Sequence, residues 1–294
     1  MSSSFTIREH TFPAPDQPAG LYCVATPIGN LGDITIRALE VLAGCDVIAC
    51  EDTRTTGVLL KRYGIGRPKI SYNEHNANSR GPELLRRIAE GEAVALVSDA
   101  GTPLVSDPGS RLVSEAVTQN LPVIPLPGAS APMAALVGSA LPTDGFRFCG
   151  FLPSKAAARK SRIQELCHAD ATLLFFESPA RLLGTLKVMA DIFGADRLAV
   201  VAREMTKMHE TFYRGTLAEL LDELEALDRI RGEIVIVVKA GEAAQIEAKD
   251  IDAMLIQALT TMKTKDAVRH VAERTGVSRQ ALYRQALDRA KSDE

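Results

Sequence analysis

Short apolar runs alternate with amphipathic stretches along the chain after Leu21. The runs that have the length and composition of buried strands lie at 21–25, 47–50, 93–98, 122–125, 146–151, 172–176, 198–202 and 234–239. Between them, apolar residues recur at helical spacing over 35–43, 53–63, 82–90, 107–119, 129–140, 155–167, 180–193 and 217–227. Strands that alternate with helices in this way predict an α/β protein.

The alternation also divides the chain into segments. Turn residues cluster at 139–145, between a predicted helix and a predicted strand, and mark a domain boundary. We therefore predict an N-terminal α/β domain over 21–140, a second α/β domain over 141–244 and a helical, basic tail over 245–294. Residues 1–20 carry prolines at positions 13, 15 and 18, which oppose regular pairing, so a disordered lead-in is expected there.

Composition narrows the class of protein. The chain has 294 residues, of which 46% are hydrophobic and 24% charged, as in a globular protein with a large core. The five cysteines form no C-x-x-C pair and the five histidines lack partners at ligand spacing, so we expect no disulfide framework and no metal site. No apolar run is long enough to span a membrane and no signal-peptide core is visible, so a cytoplasmic protein is expected.

The tail carries a local excess of positive charge. From Thr261 to Lys291 it has eight Lys or Arg and three acidic residues, on a chain whose net charge is −3. Its apolar spacing predicts a helix, a turn at 275–278 and a second helix capped by Ser278, which is the outline of a helix-turn-helix. Two interpretations stay open: a solvated element that closes a domain, or a nucleic-acid contact.

Loops of small residues follow several predicted strands. They lie at 26–33, 98–103, 107–110 and 125–131. Because ligands of open parallel sheets lie outside the carboxyl ends of the strands, these loops are predicted to converge on one crevice. Gly and Pro let the backbone approach a flat ligand, and neutral walls suit an adenosyl group better than a triphosphate. A single loop of this kind is commonly only a turn, but several in succession favour a binding site.

Longer strings in the sequence resemble the tetrapyrrole methylase superfamily. They are EDTRTTG at 51–57, SDAGTPLVSDPG at 98–109, FFESPARL at 175–182, REMTKMHE at 203–210 and GEIVIVV at 232–238. The first two are similar to a branch of the superfamily that methylates ribosomal RNA. Porphyrin-modifying members typically carry a GxGPG-like first loop and a G-D-P second loop, where this chain has TPIGN and GTP. That difference argues against a tetrapyrrole substrate.

The resemblance implies two α/β domains with S-adenosylmethionine (SAM) in the cleft between them, and a homodimer. It further implies methylation of the ribose 2′-oxygen of cytidine 1402 in 16S rRNA, either as free RNA or within the 30S subunit. Carried over position by position, the cofactor-binding residues are expected to be Pro27, Ile28, Gly29, Asp99, Gly101, Thr102, Pro103, Val105, Ser130 and Ala131. Second-domain positions near Phe176, Glu177 and Gly232 are expected to close the pocket.

Methyl transfer to a ribose hydroxyl is an in-line displacement, so positioning supplies much of the rate. A general base, or a cation beside the developing alkoxide, adds roughly 10²- to 10⁴-fold. Glu51, at the end of the second predicted strand, is our first candidate for the base, and Arg54 and Lys207 are candidates for holding the substrate. The alternative for Glu51 and Asp52 is a structural ion pair at a helix N-terminus. A second, weaker candidate for the base is His75.

Two other functions stay open at this point. One is a tetrapyrrole methyltransferase of the uroporphyrinogen or precorrin type, which the basic tail does not favour. The other is a non-catalytic regulator that senses SAM and binds RNA, since the sequence does not prove a base. No metal cofactor is expected for any of the three functions.

Overall fold

The computed structural model describes residues 3–106, 109–241, 248–275 and 277–290. The chain forms two compact units, residues 1–241 and 242–294. The first unit contains both sheets that the apolar runs predict. Among the described residues, no helix combines the length and the apolar character that crossing a membrane requires.

The N-terminal segment folds as a hairpin. Strand β1 (Ser4–Ile7) pairs antiparallel with β2 (His10–Pro13). The predicted disordered lead-in is therefore wrong for residues 4–13. The prolines fall at the last residue of β2 and beyond it, where the strand pairing needs no further N–H groups. Phe5 anchors the hairpin, because it is 2% exposed in the core beside the first sheet.

Five parallel strands form the first sheet, in the order β5-β4-β6-β3-β7. They are β3 (Gly20–Val24), β4 (Val47–Cys50), β5 (Lys69–Ser71), β6 (Ala93–Val97) and β7 (Val123–Leu126). The connecting helices are α1 (Ile36–Gly44), α2 (Thr53–Arg62), α3 (Ala77–Ala89) and α4 (Ser110–Thr118). Two apolar clusters on opposite faces cover the sheet, so the central strands are buried throughout.

The second sheet is mixed, with the order β11-β10-β12-β9-β8. Its strands are β8 (Phe146–Phe151), β9 (Thr172–Glu177), β10 (Leu198–Arg203), β11 (Thr211–Thr216) and β12 (Ile234–Val238). Only β8 and β9 run parallel; the other neighbouring pairs are antiparallel. The helices of this part are α5 (Ala131–Ser139), α6 (Ala156–Glu165), α7 (Pro179–Phe193) and α8 (Leu217–Glu225).

Helix α5 joins the two sheets. It precedes the predicted domain boundary at 140, yet its buried residues Ala135 and Leu136 pack against Val235 of the second sheet. The same apolar cluster includes Ile28, from the loop that follows β3 of the first sheet. The carboxyl-end loops of the first sheet therefore lie directly against the second sheet. The division into domains at 140 stays a prediction.

The second unit is helical. It contains α9 (Ala248–Thr261), α10 (Thr264–Thr275) and α11 (Arg279–Ala290), packed around a core that includes Leu255, Val271 and Leu282. The hydroxyl of Ser278 accepts a hydrogen bond from the Ala281 N–H at 3.2 Å, so Ser278 begins α11 as predicted. Residues 245–247 and 291–294 of the predicted tail, and Gly276 of its predicted turn, lie outside the described residues.

Candidate active site

The loops that follow β3 and β6 are fastened to each other by backbone hydrogen bonds. Thr26 and Gly101 exchange two of them, at 2.8 and 3.0 Å. The Thr26 hydroxyl also donates to the Ser98 carbonyl at 3.3 Å, and the Thr102 hydroxyl donates to the carbonyl of Ala129, in the loop after β7, at 3.3 Å. Three of the predicted small-residue loops therefore meet. The fourth, 107–110, includes Asp107 and Pro108, which lie outside the described residues.

A cavity of about 240 Å³ lies between these loops and the second sheet. On the side of the loops and α5 it is lined by Ile28, Ala100, Gly101, Thr102, Val105, Ser106, Ser130, Ala131 and Pro132, and on the other side by Phe151, Phe176, Glu177, Met205, Glu233, Ile234 and Val235. We call this space the first cavity. The residues predicted to bind the cofactor that lie here are Ile28, Gly101, Thr102, Val105, Ser130 and Ala131.

A second cavity, of about 350 Å³, adjoins the first. It is lined by Thr26, Pro27, Ile28, Gly29, Leu31, Thr55, Thr56, Val58, Leu59, Ser98, Asp99, Ala100, Lys207 and Glu233. The two cavities share Ile28, Ala100 and Glu233. Three of the predicted cofactor residues, Pro27, Gly29 and Asp99, line this second cavity instead of the first. Pro103 lines neither cavity.

Gly101 shapes the wall of the first cavity. Its φ of +78° lies in the left-handed region that favours glycine. A Cβ added there would lie 3.4 Å from Cγ2 of Ile28 and 3.9 Å from the Ala129 carbonyl oxygen. Any larger side chain would therefore extend into the space between the loops. The backbone at Gly101 forms a cradle that a side chain would fill.

A buried carboxylate lines the first cavity on the side of the second sheet. Glu177, at the end of β9, is 3% exposed. Its two oxygens accept hydrogen bonds from the Ser178 N–H (2.8 Å) and the Thr185 hydroxyl (2.6 Å), and the Arg181 Nε lies 3.2 Å from one of them. Arg181 also donates to the Leu152 carbonyl after β8. These partners account for the buried charge, so Glu177 acts as a fixed part of the wall.

Lys207 lies in the second cavity, between two carboxylates. Its ammonium contacts Glu204 at 2.8 Å and Glu233 at 3.1 Å. Burial alone would lower the pKa of Lys207, but the hydrogen bonds to both carboxylates outweigh that effect and the pKa is raised. The hydrogen bond from Lys207 lowers the pKa of Glu204. Lys207 is therefore a cation at neutral pH and serves to hold negative charge, not to accept a proton.

Backbone conformation brings this cluster close to the first sheet. Glu204 and Thr206 adopt positive φ of 51° and 63° in the loop after β10, and the Asn30 N–H donates to the Thr206 hydroxyl at 3.2 Å. The aliphatic stem of Lys207 lies over Gly29, where an added Cβ would be 2.5 Å from Cγ of Lys207. Glycine at position 29 therefore makes room for the lysine.

The first candidates for catalysis, Glu51 and Arg54, line neither cavity. Asp52 caps α2: its carboxylate accepts from the Arg54 N–H at 2.7 Å and pairs with the Arg54 side chain at 2.6 Å. The hydrogen bonds from Arg54 lower the pKa of Asp52 to about 2. This geometry is the ion pair at a helix N-terminus that the sequence left open for Asp52. The catalytic roles of Glu51 and Arg54 stay predictions.

Some lining residues were not predicted from the sequence. Ala100, Phe151, Met205 and Glu233 line the cavities, yet none of them was assigned a role. Ala100, Met205 and Glu233 lie within strings that carry the family resemblance, so that signal could have found them. Phe151 lies on β8, and the path of that strand brings it to the cavity. Among the described residues, no group of three His, Cys, Asp or Glu side chains could hold a metal ion.

Comparison with known families agrees with the fold. Residues 20–221 match the model of the Tetrapyrrole (Corrin/Porphyrin) Methylases, and residues 244–290 match the RsmI C-terminal HTH domain. The chain therefore belongs to the tetrapyrrole methylase family and is a methyltransferase. The resemblance found in the sequence is confirmed, and so is the predicted α/β fold with a helical C-terminal segment.

Within this family the chain falls among proteins named Ribosomal RNA small subunit methyltransferase I. The relative from Mesorhizobium japonicum is 51% identical over 93% of this chain and 93% of its own length. The one from Pseudomonas aeruginosa is 45% identical over 92% and 97%. A solved cobalt precorrin-4 methyltransferase is 18% identical, with a TM-score of 0.57 over 74% of this chain and 94% of that one, and shares the fold alone.

Proposed function

We propose that this protein transfers the methyl group of SAM to the ribose 2′-hydroxyl of cytidine 1402 in the 16S rRNA of the small ribosomal subunit. The observation that carries the proposal is the pair of adjoining cavities, which share Ile28 and Ala100. One cavity offers space for a methyl donor and the other offers space for an acceptor. The names of relatives at 45% and 51% identity support ribosomal RNA as the acceptor. Transfer of labelled methyl from SAM to 30S subunits that lack the modification tests the proposal.

The first cavity fits SAM by its shape and chemistry. Gly101 leaves a cradle that a Cβ would fill, and the small residues Ser130 and Ala131 line the same side of the cavity. Loop backbone groups and the Thr102 and Ser130 hydroxyls would hold the adenosyl group, with Phe176 on the other side. When bound, SAM supplies an activated methyl group, and the protein's part is to orient it towards the second cavity and to exclude water.

The second cavity suits a nucleotide of the RNA. Lys207 is a fixed cation at its edge and would hold a phosphate or stabilise the oxygen as its negative charge develops. Glu204 and Glu233 orient the ammonium. Arg54 has a side chain that is 90% exposed, and it pairs with Asp52. A tetrapyrrole acceptor is disfavoured by the TPIGN and GTP loop sequences.

We also propose that the protein is a homodimer and acts in the cytoplasm, where small subunits are assembled. Support for the dimer comes from Phe146, which is 45% exposed on the edge strand β8, and from Val137, which is 77% exposed on α5. We expect wild-type protein to have twice the mass of one chain in light scattering, and Phe146→Asp to shift it towards the monomer. The matched control is Val117→Asp, at a 60% exposed position on α4. A wild-type monomer would contradict the proposal.

The helical unit at the C-terminus is proposed to bind RNA. Its exposed side chains include Lys263, Lys265, Arg269, Tyr283 and Arg284, a set of cations with an aromatic ring on which a base can stack. Arg269 pairs with Asp266 at 3.0 Å, which weakens it as a phosphate contact.

We expect the triple variant Lys263→Gln, Lys265→Gln, Arg284→Gln to raise the KM for 30S subunits and to flatten its salt dependence. Each phosphate contact contributes about −0.7 to the slope of log K against log salt on single-stranded RNA, so the variant should lose up to about 2 units of slope. Deletion of residues 242–294, which form a separate compact unit, should flatten the slope further while SAM affinity is kept. Unchanged KM and slope in both proteins would show that the unit only packs.

A further inference from the structure

The loop 98–103 lies along the boundary between the two cavities. Gly101 and Thr102 line the first cavity, Asp99 lines the second, and Ala100 lines both. The two cavities meet at Ala100 of this loop and at Ile28 and Glu233, so a methyl group passes between them beside these residues. Ser98 and Asp99 therefore lie on the acceptor side, and Asp99 is the ionisable one of the two, although the sequence resemblance placed it among the cofactor residues.

The Asp99 carboxylate is held by one oxygen. Its Oδ1 accepts a hydrogen bond from the Asp52 N–H at 3.2 Å, and Asp52 is in turn fixed as the cap of α2. Within the described part of the chain, Oδ2 of Asp99 accepts no hydrogen bond and forms no ion pair. A carboxylate that is oriented through one oxygen presents the other to a ligand in the cavity.

The other acidic residues that line the cavities are engaged. Glu177 is buried and hydrogen-bonded through both oxygens. Glu233 pairs with Lys207, and its side chain is 73% exposed. Burial raises the pKa of Asp99, the Asp52 N–H lowers it, and the net shift is upward, which makes this carboxylate a better proton acceptor than an ordinary aspartate.

On the basis of the proposed function, we infer that Asp99 is a catalytic residue that accepts the proton of the ribose 2′-hydroxyl during methyl transfer. The O–H bond breaks and its proton goes to Oδ2 of Asp99, while an oxygen lone pair forms the new bond to the methyl carbon. The carbon–sulfur bond breaks, and its electron pair stays on sulfur. Lys207 holds the RNA across the same cavity.

The first test compares Asp99→Asn with wild type and with Asp191→Asn, a control on the exposed face of α7. We expect kcat on 30S subunits to fall by about 10²- to 10⁴-fold in Asp99→Asn, as for loss of a general base, while SAM affinity by calorimetry and the melting temperature stay near wild type.

A second measurement does not depend on turnover. Wild type should bind 30S subunits that carry 2′-deoxycytidine at the target position about tenfold more weakly than unmodified subunits, because a hydrogen bond from the hydroxyl to a carboxylate is lost. In Asp99→Ala the two kinds of subunit should bind alike. The same binding ratio in Asp99→Ala as in wild type, or no discrimination by wild type, would overturn the inference.

The outcomes separate this inference from the proposed function. If wild type methylates the RNA but Asp99→Asn keeps its kcat, or loses SAM affinity instead, Asp99 is not the base and the proposed function still holds. If wild type transfers no methyl group to the RNA, the proposed function fails first. If kcat falls in Asp99→Asn while SAM affinity is kept, and Asp99→Ala binds the two kinds of 30S subunit alike, the assignment of Asp99 is supported.

Discussion

Gly101→Leu should reduce the affinity for SAM by more than about 100-fold, because the side chain would fill the cradle between Ile28 and Ala129. Leucine at a positive φ also strains the backbone by roughly 1–2 kcal/mol, so a loss of stability must be separated from a loss of binding. Calorimetry at a temperature well below the melting point of the variant measures the affinity directly.

Gly91→Leu is the matched control for this experiment. Gly91 has a φ of +102°, so leucine meets the same kind of backbone strain there, but an added Cβ has nothing within 4 Å. We expect Gly91→Leu to lose a similar amount of stability and to bind SAM normally. Equal SAM affinity in the two variants would remove the 98–103 loop from the cofactor site.

The second large effect is expected at Lys207. Lys207→Met removes the cation that pairs with Glu204 and Glu233 and leaves the Glu233 carboxylate, which lines the acceptor cavity, without that cation, so it would repel RNA phosphates. We expect kcat/KM for 30S subunits to fall by about 10²- to 10³-fold, a scale typical of losing one charge-stabilising donor. SAM affinity should stay within a few-fold of wild type, since Lys207 does not line the first cavity.

Two further variants serve as controls for Lys207→Met. Lys187→Met, at an exposed position of α7, should behave as wild type. Lys207→Arg keeps the positive charge and should recover part of the loss. If Lys207→Met methylates 30S subunits at the wild-type rate and KM, the cluster is only a structural ion pair.

Local patterns in the sequence were enough to predict most of the fold. The run at 93–97 is apolar throughout and becomes a central strand, because both of its faces are covered by helices. Strand β11 was missed because its side chains are half-buried or exposed at a sheet edge and carry no continuous apolar run. The N-terminal hairpin was missed for a similar reason, since residues 10–13 are exposed and a single buried phenylalanine anchors the pair.

Only those features of the candidate site that lie within a single loop could be predicted from the sequence. Small residues at 26–33 and 98–103 indicated the crevice before any geometry was known. Which cavity each side chain enters depends on contacts distant in sequence: Asp99 is oriented by the N–H of Asp52. Likewise, the cluster of Glu204, Lys207 and Glu233 forms because β10 and β12 pair antiparallel, which no local pattern specifies.

The central claim is that this protein methylates a ribose 2′-oxygen of small-subunit RNA. The most direct measurement is mass spectrometry of 16S rRNA from unmodified 30S subunits after incubation with purified protein and SAM bearing a deuterated methyl group. The account predicts one labelled 2′-O-methylcytidine, mapped by nuclease digestion to position 1402 and absent with Gly101→Leu. Label on a base or on no nucleotide at all, with SAM bound to the protein, would contradict it.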